Sequence, residues 1–132
     1  MSDLKCARTL VLAAERDLEL VQLMLEHNRG ANEVFGFHVQ QAVEKLLKAW
    51  LAIRGERYPL THDLEQLFEV LAQGGVELRA FRSLSDYTPF AVVHRYEALG
   101  PQEPPMDRAQ AASRTASLLA RVREFLADPD GA

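Results

Sequence analysis

The chain has 132 residues, 48% apolar and 26% charged, with a formal net charge of −4 and a single cysteine, Cys6. Such a chain is expected to form one domain over residues 1–132 with a core that needs no staple, and one thiol excludes both a disulfide framework and a thiolate zinc site within it. The acidic excess opposes bulk attraction to nucleic acid or anionic lipid, and the longest clean apolar run, residues 10–14, stops at Glu15, far short of a membrane span. Residues 1–5 carry an acid and no sustained apolar stretch, so no signal peptide is expected and the cytoplasm is the expected compartment.

In chain order, Leu4, Ala7, Val11, Ala14, Leu18, Val21 and Leu25 recur at alternating spacings of three and four, which predicts a long first helix. A second apolar row, Cys6, Leu10, Ala13, Leu20 and Met24, is broken at Asp17, so the helix should bury itself against at least two neighbours. Ser2 or Asp3 can cap its start, and Asn28-Arg29-Gly30 should end it, with Gly30 suited to a left-handed residue. A second helix is predicted from Asn32 to about Arg54, with Phe35, Val39, Ala42, Val43, Leu46, Trp50 and Ile53 inward. Thr61 is the expected N-cap of a third, whose inner residues are Leu64, Leu67, Phe68 and Leu71 and whose stop is Gly74-Gly75.

A short fourth helix is expected from Val76 or Glu77 to about Asp86, using Leu78, Phe81 and Leu84, until Thr88-Pro89 interrupts it. A long Pro-rich loop follows, and Asp107 with Gln110 then signals the start of a last helix with Ala112, Ala116, Leu119, Val122 and Phe125 inward. Its tail, from Asp128 to Gly131, is expected to fray. No segment alternates cleanly as a strand does. The prediction is an all-α fold, an antiparallel helical bundle of four core helices plus one short helix.

The sequence lacks phosphate-binding glycine loops and a His-Glu-x-x-His motif, and its four histidines never pair at helical spacing, so neither a metal nor a cofactor is expected. On the second helix Gln41, Glu44, Lys45 and Lys48 cluster beside the apolar stripe, and the following loop adds Arg54 and Arg57. Taken alone, the Glu44 and Lys48 spacing reads as an ordinary surface ion pair.

The run from Phe37 to Ala49, with its Gln-x-x-Glu-Lys-x-x-Lys core, together with Thr61-His62-Asp63-Leu64, Tyr87 and His94-Arg95-Tyr96, resembles the HEPN domain family. The resemblance spreads over residues 5–125. It implies a compact helical bundle, usually homodimeric, often paired with a minimal nucleotidyltransferase in a toxin–antitoxin-like module. It implies as well that Gln41, Lys45, Lys48, Arg54, His94, Arg95 and Tyr96 contact a ligand, with Lys45, Lys48, Arg54, Arg57 and Arg95 as a basic cluster facing the nucleotidyltransferase or its nucleotide.

Some relatives are metal-independent RNases that join an arginine and a histidine, spaced Arg-x4-6-His, across a dimer interface. Arg57-Tyr58-Pro59-Leu60-Thr61-His62 fits that spacing, which implies His62 as general base and Arg57 or Arg95 as the group that steadies phosphorane charge. The sequence departs from the pattern in carrying Tyr58 where a polar residue is common and Glu97 where the family has a proline after Arg-Tyr. Three readings therefore stand: a homodimeric partner of a minimal nucleotidyltransferase, which is favoured; an RNase that cuts RNA; and a helical dimerisation protein without ligand, motivated by the wide apolar face of the first helix.

Overall fold

The computed structural model describes residues 2–92 and 105–132. The first helix, α1, spans Leu4–His27 and is capped by Asp3, whose side chain accepts from the Cys6 amide; Asn28, at φ 49°, turns the chain out of it. Both Asn28 and Gly30 are left-handed, so the four-residue turn to the next helix uses two residue types that tolerate that conformation. The second helix, α2, spans Asn32–Ile53. It runs antiparallel to α1: the Asp3 amide donates to the Ala52 carbonyl at 2.8 Å, so the start of one helix sits beside the end of the other.

Helix α2 is buried over more of its surface than its predicted inner face. It packs against α1, the third helix, the last helix and the segment between those two, and hence shows solvent little of its surface. Among its described neighbours, α1 contacts both α2 and the last helix, as the width of its apolar face requires. The core runs from Ala7, Val11 and Leu18 through Phe35, Leu46 and Trp50 to Leu67, Phe68, Leu118 and Val122.

The third helix, α3, spans Leu64–Gln73, and its N-cap is Asp63 rather than Thr61. Thr61 lends its hydroxyl to the Asp63 amide instead, while the Asp63 carboxylate accepts from Glu65, so the two residues act in series and helix begins two positions later than expected. His62 therefore precedes the cap and lies outside the first helical turn.

The expected fourth α-helix over residues 76–86 is absent. Residues 79–81 form turns, and Arg82–Ala91 is a 3-10 helix that continues through Pro89. The reason is visible in the spacing: Leu78, Phe81, Leu84, Tyr87 and Phe90 recur at intervals of three, which aligns them on one face at three residues per turn but would spiral them around an α-helix. The Phe90 ring lies against Gly36 of α2, where a Cβ would come within 2.3 Å of it. Gly36→Ala, a change that normally gains about 1 kcal/mol inside a helix, is therefore expected to lose about 1 to 2 kcal/mol through overpacking. Urea unfolding of the variant checks this, and Phe90→Ala in the same chain should recover part of the loss.

The last helix, α4, spans Arg108–Ala127 with Asp107 as N-cap, accepting from Gln110 as expected. Its buried residues are Ala111, Ala112, Thr115, Leu118, Leu119 and Val122, so the inward face is rotated slightly from the predicted one, and Ala116 and Phe125 are half-buried. The tail does not fray. Pro129–Gly131 makes a 3-10 turn, and the Ala132 main-chain oxygen accepts from Trp50 Nε1 at 3.3 Å and from Arg54 Nη1 at 2.7 Å. Among the described residues no helix is long and apolar enough to cross a membrane.

Candidate functional site

The polar centre of the molecule lies on α2, on the turns that hold Gln40, Glu44 and Lys48. Spacings of four stack these three side chains on one face, and that face points at the loop between α2 and α3. Gln40 is fully buried, and its Nε2 donates both to Glu44 Oε1 and to the His62 carbonyl, each at 3.0 Å. Its own Oε1 accepts from Gln41 at 2.7 Å, which fixes the orientation of the amide. The Glu44 and Lys48 side chains are 7% and 11% exposed and pair at 3.1 Å, so this ion pair is an interior contact and not the surface pair that its spacing alone implies.

Glu44 also holds His62. Nδ1 of His62 lies 2.7 Å from Glu44 Oε1, while the imidazole is 67% exposed. An ionised carboxylate there makes Nδ1 the donor and leaves Nε2 as the free edge toward solvent. Burial alone would raise the Glu44 pKa, but hydrogen bonds from His62, Gln40 and Lys48, together with the Lys48 charge, hold it below the ordinary value. Glu44 is accordingly a fixed negative charge at neutral pH.

Lys48 reaches the next group as well, with Nζ 5.5 Å from the centre of the Tyr58 ring. The Tyr58 hydroxyl meets Cys6 Sγ at 3.7 Å; this contact, with burial, keeps the phenol above its ordinary pKa and so protonated. Arg57, Tyr58 and Leu60 line a cleft of about 370 Å³ together with Asp3 and Cys6. Arg57 is exposed and has no partner among the described residues. Leu60, although it borders this cleft, is 96% exposed.

The remaining basic residues of the expected cluster are not drawn into this centre. Lys45 pairs with Asp17 of α1 at 2.5 Å, and the same carboxylate meets His38 Nδ1 at 2.9 Å, which accounts for the polar break in the second apolar row of α1. Arg54 donates to the Gly74 carbonyl as well as to Ala132, so it ties the end of α2 to α3 and to the tail. His94, Arg95 and Tyr96 lie outside the described residues. Among the described residues no group of three or more His, Cys, Asp or Glu side chains is arranged to hold a metal. Sequence reasoning passed over Gln40 and read Glu44 only as half of a surface ion pair; the available signal is that both fall within a helix whose flanking residues, Val39, Val43 and Leu47, are all core-type.

These features define a helical-bundle domain whose polar network supports an exposed loop instead of closing around a pocket. The family model described as HEPN domain matches residues 7–128, and the chain belongs to the HEPN domain family. No curated protein and no solved structure matches the chain.

Proposed function

We propose that this HEPN-domain protein is the homodimeric partner of a minimal nucleotidyltransferase in a two-component, toxin–antitoxin-like module, and that it meets the enzyme and its nucleotide through the loop between α2 and α3. One observation carries the reading. The loop is pinned from beneath by Gln40 and Glu44, yet it holds Arg57, Leu60 and His62 out in solvent. A leucine left 96% exposed on a rigid support, with a free guanidinium three residues before it, suits a preorganised contact in which the apolar group anchors and the cation meets phosphate. Leu60→Asp and Arg57→Glu alter only exposed side chains, so each should leave the fold intact and weaken a complex with the nucleotidyltransferase by about tenfold or more. Titration calorimetry with the purified pair measures this. Absence of a complex, or one that ignores both substitutions, would sink the proposal.

A second reading, RNA cleavage, is favoured by the Glu44 and His62 pair, because a carboxylate on Nδ1 holds the imidazole with Nε2 free to take a proton from a 2′-hydroxyl. On that reading the protein cuts single-stranded RNA in the presence of EDTA, and His62→Ala abolishes the cut. Cleavage that persists in the variant excludes His62 as the base.

A further inference from the structure

We propose that the outer face of α1 is a self-complementary seam on which a second copy of this chain docks antiparallel; the inference rests on the homodimer reading above and supplies its interface. Most of the inner row of α1 is consumed by the core, with Leu25 near its end still 36% exposed, and on the opposite side Leu12 is 50% and Leu23 46% exposed. Between them stand Arg16 and Glu19, both exposed and both without a hydrogen bond or ion pair among the described residues. The spacings 12, 16, 19 and 23 alternate four, three, four, which places the four side chains in one line along the helix, about 16 Å from end to end.

The order Leu-Arg-Glu-Leu reads the same in reverse with its charges exchanged. In an antiparallel pair whose two-fold axis passes between residues 17 and 18, Leu12 faces the partner's Leu23 and Arg16 faces the partner's Glu19, and symmetry repeats each contact. Parallel pairing would oppose Arg16 to the partner's Arg16 and Glu19 to the partner's Glu19, so the charges select one direction. Beside the seam, Glu15 is already paired with Arg123 of α4 at 2.9 Å and so does not compete for Arg16. A partner of unrelated sequence gives no reason for this two-way match; a second copy does. The seam is narrow beside a standard interface, so association depends on protein concentration.

Sedimentation velocity over a concentration series tests the seam. The unmodified protein should self-associate. Arg16→Glu or Glu19→Arg alone should each weaken association about tenfold, since each sets like charges opposite one another twice, and the double exchange should restore it. Leu23→Asp should abolish it, and circular dichroism confirms that each variant keeps its helices. A monomer at every concentration overturns this seam and the homodimer reading together. A dimer indifferent to all the substitutions overturns the seam alone and leaves the homodimer reading standing. Failure of the double exchange to recover association overturns the antiparallel register.

Discussion

Replacing Trp50 with alanine is expected to destabilise the protein by about 3 to 5 kcal/mol, the usual range for emptying a buried aromatic site. Trp50 is 1% exposed at the end of α2, its ring lies 5.2 Å from that of Phe125 on α4, and its Nε1 donates to the Ala132 oxygen. The substitution thus removes apolar contact between α2 and α4 and one of the two donors holding the tail. Thermal unfolding should show a drop in Tm of roughly 10 to 18 °C. Trp50→Phe keeps an aromatic ring against Phe125 while losing the donor, and should recover most of the stability; a variant no better than alanine would assign the effect to the hydrogen bond.

Glu44→Ala is expected to cost about 3 kcal/mol, because it leaves Lys48 nearly buried without a counter-charge and frees one Nε2 hydrogen bond of Gln40. Lys48→Met combined with Glu44→Gln removes the uncompensated charge and retains an acceptor for Gln40 and His62, so the pair should lie close to the unmodified stability. The pH dependence has a defined sign. The carboxyl's pKa is lower in the fold than the ordinary 4.5, so the folded chain binds this proton less readily than the unfolded one. Its contribution is complete above 4.5 and is lost as the pH falls through the lowered folded value. Urea midpoints measured from neutral pH downward should therefore fall more steeply for the unmodified protein than for Glu44→Gln.

The bounds of α1 and α2 are legible in the sequence because three signals agree there: helical period, Asp3 as cap, and the Asn28 to Gly30 stop. Around α3 the signals compete. Thr61 and Asp63 are both good caps, and which of them closes the helix depends on the Thr61 hydroxyl being engaged by the Asp63 amide. The stretch from Leu78 to Phe90 holds its information in a spacing of three, which resembles a helical pattern unless the alternative of three residues per turn is weighed. The candidate site is harder to see. Glu44 and Lys48 are one turn apart and look like any surface pair, while the partners that cover them, His62 and Tyr58, are folded back onto them by the loop between α2 and α3. Asp17 shows the same limit, since its break in an apolar row is explained by Lys45 and His38, side chains of another helix.

Arg108, at the first position of α4, donates to the Arg29 and Gly30 carbonyls and to Asn32 Oδ1, and its guanidinium lies 4.8 Å from the centre of the Phe35 ring. The carbonyls it satisfies belong to the turn between α1 and α2, which can form locally from adjacent sequence, whereas Arg108 arrives from 76 to 79 residues away. The helical hairpin is thus complete in its backbone path before α4 docks but complete in its hydrogen bonding only afterward. Opening of the hairpin turn is therefore expected to release the start of α4 along with it, since the same Arg108 contacts hold both.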